Sequence, residues 1–235
     1  MNRTFQFILT CFILTMAMTI HAQTDSTYFQ ETVKPRIRVI IDNDFGGDPD
    51  GLFQLVHHIL SPSVQIKGII GSQNYNNGFY GSPGSAVYAC TVIHELLAAM
   101  PYAAKIPVYE GGASGLSNIS TPVISDASKA IVHEAMRQDT KMPLYIVCGA
   151  GLTNIASAYL MEPRIANKII LIWIGGPEYK GVAIPPQGRK KLEYNMGIDV
   201  KAAQVIFNTS DIPIWQVPRD AYRQALYSYA EWHCW

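Results

Sequence analysis

The feature that most constrains this chain is a short apolar strand that runs directly into four closely spaced aspartates. Residues 37–41 have the length and composition of a buried strand, and Asp42, Asp44, Asp48 and Asp50 follow within nine residues, interleaved with glycines. Carboxylates this close disfavour each other's ionised form, and a hard cation would remove that cost. The pattern favours a metal site where open α/β sheets bind ligands, over a solvated acidic turn.

Composition and targeting signals narrow the functional class. The 235 residues carry 18 basic and 18 acidic side chains, so no basic field indicates nucleic-acid binding. Arg3, the apolar stretch 5–20 and Ala22 before Gln23 are typical of a secretory signal peptide. That stretch is short and interrupted for a membrane span. We therefore expect secretion or export to the periplasm, cleavage after residue 22, and no membrane association afterwards.

Apolar strands alternate with helical stretches along the rest of the chain. Further strands are predicted at 64–70, 144–148, 169–174 and 212–217, most of them followed by helical periodicity. This alternation indicates βαβ units and an α/β fold with a mostly parallel open sheet flanked by helices, Rossmann-like in architecture. We expect one domain over residues 23–235.

Three loops that follow strands share the predicted sheet edge with the aspartates. They span residues 71–74, 148–156 and 175–195 and are rich in glycine and amide side chains. Each also has a simpler interpretation, since such residues are common in turns. Thr153 could cap its helix, and Glu193 and Asn195 could be ordinary surface residues.

Taken in order, these motifs resemble the nucleoside hydrolases, the inosine–uridine-preferring group of N-ribohydrolases. The acidic run matches the family's opening signature, and the later signatures follow in the expected order up to about residue 217. They are Gly151-Leu152-Thr153-Asn154-Ile155-Ala156, Gly175-Gly176 and Glu193-Tyr194-Asn195. The resemblance implies the nucleoside hydrolase fold and a secreted hydrolase that splits ribonucleosides into ribose and base.

The resemblance also implies roles for individual residues. Asp44 and Asp50 would bind Ca²⁺ through their carboxylates, and Thr153 through its backbone carbonyl. Asp44 would in addition take the proton of the water that attacks the ribosyl C1′. The residues implied to bind the substrate are Asp48, Asn74, Glu193 and Asn195.

Two features depart from the family pattern. Pro49 separates Asp48 from Asp50, where the family signature has adjacent acids. The family also carries a further C-terminal part with another calcium-binding aspartate, often beside a histidine. Nothing after Asp220 resembles it, so we expect a C-terminally incomplete domain.

These departures leave alternatives open. A non-catalytic or degenerate member that binds a sugar or nucleoside would keep the fold without turnover. Asp42-x-Asp44 after a strand is also the nucleophile pattern of haloacid-dehalogenase-like phosphatases, but Gly46 stands where that pattern needs Thr or Val. A small-molecule riboside is the expected partner, and assembly into a homo-oligomer is left open.

Overall fold

In the part of the chain that the structure describes, six parallel strands form one sheet. The computed structural model describes residues 33–47, 49–75, 84–100, 103, 105–188 and 192–225, so the predicted signal peptide and Asp48 lie outside the described residues. The sheet has the order β3-β2-β1-β4-β5-β6, and all five pairings are parallel, which confirms the predicted architecture. The strands are β1 (Ile37–Asn43), β2 (Val64–Gly71), β3 (Val108–Glu110), β4 (Leu144–Cys148), β5 (Ile169–Ile174) and β6 (Ile214–Val217).

Helices lie between the strands along the described chain. A 3₁₀ turn covers Pro163–Asn167, and no described helix is long and apolar enough to cross a bilayer. The α-helices are α1 (Asp50–Leu60), α2 (Ser85–Ala99), α3 (Asp126–Ala135), α4 (Thr153–Met161), α5 (Tyr194–Ile198), α6 (Val200–Asn208) and α7 (Arg219–Tyr222).

Helix α5 was not expected, because residues 175–195 were predicted as a loop. The carboxylate of Glu193 accepts hydrogen bonds from the backbone of Asn195 and Met196 and begins α5. Asp199 then ends α5 and caps α6 through the backbone N–H of Ala202. Two buried acids therefore divide the segment into two helices.

The two faces of the sheet are covered unequally. On one face α3, α4 and α6 pack over the strands around Trp173, which is fully buried, as expected for a strand residue. On the other face α1 and α2 pack over β1 and β2. The largest fully buried side chains there are Ile41, Leu55, Ile69 and Ile93.

The second face stays open over β4, β5 and β6 within the described part of the chain. Trp215 is 57% exposed, and its ring lies edge-on to that of Tyr145 with centroids 5.7 Å apart. Ile172, Ile174 and Val217 beside them are half-buried and line a cavity of about 300 Å³ that reaches α1. We call these five residues the open half-face.

Candidate active site

The strand that carries the acids lies at the topological switch point of the sheet. The chain leaves β1 toward β2 on one side, and β4 pairs with β1 on the other side. Asp42 is therefore in register with Ile70 of β2 and with Cys148 of β4. The loops after these strands meet the acidic loop at the position where open α/β sheets bind ligands.

Asp42 is a fully buried carboxylate for which the family resemblance implied no individual role. The hydroxyl of Ser72 donates to it, and the amide of Asn154 lies 3.3 Å from both of its oxygens. Burial raises the pKa of Asp42 to about 6, although these two hydrogen bonds lower it. Both donors are neutral, so a nearby cation would favour the ionised form of this carboxylate.

Asp44 and Asn74 flank Gly47 at the tip of the acidic loop. Asp44 is 8% exposed and Asn74 is 1% exposed. The loop closes through a 2.7 Å hydrogen bond from the Gly47 N–H to the Asp44 carbonyl. A Cβ built on Gly47 would lie 3.5 Å from both the Asp44 Oδ2 and the Asn74 Nδ2. The structure thus brings these two predicted site residues together.

Thr153 faces the loop after β2 instead of capping its own helix. Leu152 is the N-cap residue of α4, so the capping interpretation of Thr153 was wrong. Its hydroxyl donates to the Asp199 Oδ2 at 2.8 Å and accepts from the Gln73 Nε2 at 3.2 Å. Among the residues that the structure describes, the buried Gln73 Oε1 has no hydrogen-bond partner, so an acceptor of this loop is available to a ligand.

Glu193 is 1% exposed and is not the surface residue of the simpler interpretation. Its Oε2 accepts from the backbone of Gly176 at 2.7 Å and of Met196 at 3.0 Å. Its Oε1 accepts from the Asn195 backbone at 3.1 Å and from the Tyr222 hydroxyl at 3.0 Å. The carboxylate therefore joins the end of β5, the start of α5 and helix α7.

Asn195 connects the ends of two neighbouring strands. Its Nδ2 donates to the carbonyl of Gly149 after β4 at 3.1 Å and to that of Ile174 in β5 at 2.8 Å. The half-buried side chain is thereby fixed at the carboxyl edge of the sheet. Asn195 consequently lies on the same edge as Asp44 and Asn74.

Asp50 is exposed to solvent, whereas Asp44 is nearly buried. It is the first residue of α1 and is exposed, and its Oδ1 accepts from the Gly51 backbone at 2.7 Å. Among the described residues, which do not include Asp48, no group of three or more His, Cys, Asp or Glu is arranged to hold a metal. The residue types still fit a hard cation, since the Asp44 carboxylate and the buried Gln73 Oε1 supply oxygen atoms, which such cations prefer as ligands.

Fold and site together define an open parallel α/β protein with an acid-rich ligand site at the switch point of its sheet. The family model described as "Inosine-uridine preferring nucleoside hydrolase" matches residues 39–234. The chain belongs to this family, as the sequence resemblance predicted.

Three relatives illustrate the similarity. The chain is 28% identical over 196 residues to the inosine-uridine preferring nucleoside hydrolase of Leishmania major, covering 74% of this chain and 57% of that protein. It is 32% identical over 114 residues to the protein of that name from Crithidia fasciculata, covering 45% and 33%. A solved structure, the purine-preferring ribonucleoside hydrolase from Gardnerella vaginalis, has the same fold with a TM-score of 0.61 at 20% identity, covering 83% of this chain and 64% of that one.

Proposed function

We propose that this protein hydrolyses the N-glycosidic bond of ribonucleosides and releases ribose and the free base. The observation that carries the proposal is the nearly buried carboxylate of Asp44, held beside Asn74 at the switch point of the sheet in a chain of this family. The chain spans 57% of the length of the first curated relative it matches, so activity, substrate and partners are proposed here for the chain itself.

The chemistry required matches the side chains at this edge. Cleavage of a glycosidic bond builds positive charge on the sugar ring, and carboxylates held in place stabilise charge where it develops. Asp44 is the general base that accepts the proton of the attacking water. Its surroundings restrict the residue, because Asp44 is only 8% exposed and its backbone carbonyl accepts the Gly47 N–H at 2.7 Å.

The ribose is held by polar side chains that the scaffold itself orients. The backbone N–H of Asn74 donates to the Ser85 hydroxyl of α2 at 3.0 Å, and the side-chain amide of Asn195 donates to two strand-end carbonyls. The two asparagines would contact ribose hydroxyls together with Asp48, while Glu193, with four donors already bound, sets the position of Asn195 and the adjoining strand end. Orientation of this kind supplies a large part of enzymatic rate enhancement.

Calcium is part of the proposal. Asp44, Asp50 and the Thr153 carbonyl are the residues that would hold it. When bound, the cation would offset the mutual repulsion of the acids and polarise a water molecule. We propose export as well, on the basis of the N-terminal pattern; N-terminal sequencing of the protein recovered from the periplasm or medium would start at Gln23 if cleavage follows residue 22.

The test is ribose release from inosine and uridine by the full chain, with and without a calcium chelator. Asp44→Asn should lower kcat/KM by about 100-fold or more, because a general base contributes roughly that factor. Asp126→Asn is the matched control, since Asp126 lies on the exposed start of α3 in a surface ion pair with Lys129, and it should leave kcat/KM unchanged.

Two outcomes would contradict the proposal. A folded protein that releases no ribose from either nucleoside, while calorimetry detects ribose or nucleoside binding, would indicate the non-catalytic binder instead. Unaltered activity in Asp44→Asn would remove Asp44 from the chemistry.

A further inference from the structure

One side chain contacts residues at or just beyond the carboxyl ends of three different strands. Asn154, the second residue of α4, is 3% exposed. Its Nδ2 donates to the Ser72 Oγ at 2.7 Å and lies 3.3 Å from both oxygens of Asp42. Its Oδ1 accepts from the backbone N–H of Gly112 at 2.9 Å. From the helix after β4, Asn154 therefore reaches the ends of β1 and β2 and the loop that follows β3.

The site requires an amide at this position. An amide is the side chain that donates to a carboxylate and a hydroxyl while accepting a backbone N–H from one planar group. An aspartate would face Asp42 with a like charge, and an apolar residue would leave the Gly112 N–H buried without a partner. The approach is also close, because a Cβ built on Gly111 would lie 3.0 Å from the Asn154 Nδ2.

The groups that Asn154 holds lie next to the proposed catalytic and ribose-binding residues. Asp42 precedes Asp44 by two residues, and Ser72 precedes Asn74 by two. The two backbones are joined directly by the Ser72 N–H, which donates to the Asn43 carbonyl at 2.9 Å. A displacement of Asp42 relative to Ser72 would therefore separate Asp44 from Asn74.

We infer that Asn154 is a positioning residue that fixes the acidic loop and the loop after β2 relative to each other, and so holds Asp44 and Asn74 in the geometry for catalysis. This inference rests on the proposed function for its catalytic consequence. Asn154 acts through Asp42 and Ser72, and its own polar atoms are occupied by these contacts and by Gly112.

Asn154→Ala and Ser157→Ala form a matched pair for the test. Ser157 is a fully buried residue of the same helix, and its hydroxyl accepts the Val123 N–H at 3.1 Å. Each substitution removes one buried acceptor of a backbone N–H, but only Asn154 contacts the site. Hydrogen–deuterium exchange of the full chain is compared over residues 42–47 and 72–75, and kcat and KM are measured on the same samples.

We expect Asn154→Ala to speed exchange in both segments at least tenfold and to lower kcat at least tenfold, while Ser157→Ala leaves these segments and kcat unchanged. If Asn154→Ala does not fold, Ser72→Ala removes one of its contacts and should speed exchange over residues 42–47 by about threefold. Unchanged exchange, an equal rise in Ser157→Ala, or faster exchange with full kcat would overturn the inference. If the wild-type chain releases no ribose, the proposed function fails and the exchange comparison alone decides whether Asn154 fixes the loops.

Discussion

The buried carboxylate of Glu193 hydrogen-bonds to several elements around the candidate site. Four donors from β5's end, α5 and α7 converge on its two oxygens. Hydrogen bonds to a charged group contribute more than neutral ones, and a buried donor left unpaired costs its desolvation energy. We therefore expect a substitution of Glu193 to lower the stability of the fold, in addition to any loss of substrate contact.

We expect Glu193→Gln to lower the free energy of unfolding by about 3 kcal/mol, because one glutamine oxygen replaces two charged acceptors and its amide group faces N–H donors. Urea denaturation measures the change. Glu110→Gln is the control, since Glu110 is exposed on β3, and its effect should stay within about 0.5 kcal/mol. Unchanged stability of Glu193→Gln with a raised KM would instead assign this carboxylate to the substrate.

At the scale of single residues, the sequence predicted the location of those residues that belong to a local motif. The loops that carry Asp44, Asn74 and Asn195 were predicted to share one sheet edge, and the structure places them there; the roles of these residues were implied by the family resemblance and stay predictions. The contacts of Gln73 and Asn154 could not be predicted, because their partners are distant in the chain; Gln73 and Thr153 are 80 positions apart, and Asn154 and Asp42 are 112 positions apart. Such contacts depend on strand order, which local patterns do not encode.

Among the elements, the segment after β5 is held by an ion pair with α7. Arg219 donates to both oxygens of Glu178 at 2.8 and 2.6 Å, and this lowers the pKa of Glu178 to about 2. Because the folded-state pKa lies below the ordinary value of 4.5, the fold favours the ionised form. The pair's contribution to stability is full above pH 4.5 and is lost as the pH falls toward 2.

We therefore expect Glu178→Gln to lower Tm at pH 7, and the difference from wild type to shrink as the pH is lowered from 4.5 to 2. Glu162→Gln is the control, because its pKa is also lowered to about 2 by Arg164, whose side chain is 75% exposed. Solvent screens that surface pair, so its Tm loss should be smaller at every pH. Thermal unfolding followed by circular dichroism measures both, and equal losses would contradict the prediction.

Element boundaries were predicted best where an apolar run is bounded by polar residues. Strands β4 and β5 appear at the predicted residues, Leu144–Cys148 and Ile169–Ile174. Helix α5 was missed because it is five residues long and begins at a buried acid, whose tertiary contacts with Gly176 and Tyr222 leave no periodic signal in the sequence.

Across the whole molecule, alternating strands and helices predicted the parallel sheet but not the order of its strands. The order depends on the side of the preceding strand to which each crossover connection leads. That side depends on packing between helices that are distant in the chain. The open half-face is a second property of the assembled sheet. Trp215 appears in the sequence as an ordinary strand residue, and only the structure shows it 57% exposed beside half-buried neighbours.

We expect the open half-face to promote self-association, because contiguous exposed apolar surface favours burial against another surface. Trp215→Ser should raise the dissociation constant of any oligomer at least threefold, as measured by sedimentation velocity over a concentration series. Ile184→Ser is the control, since Ile184 is 86% exposed on a loop and is not one of the five residues of this face. A wild-type protein that stays monomeric at every concentration, or an equal effect of Ile184→Ser, would contradict the prediction.

The central location of β1 in the sheet determines how the protein unfolds. This strand has ladder partners on both sides, and its side chains enter the cores on both faces, so it cannot fray from an edge. A slip of one position would exchange the faces of all its side chains and point Asp42 in the opposite direction. Ligand affinity and tertiary structure should thus disappear at the same denaturant concentration, with no populated species that keeps the sheet and has lost the pocket.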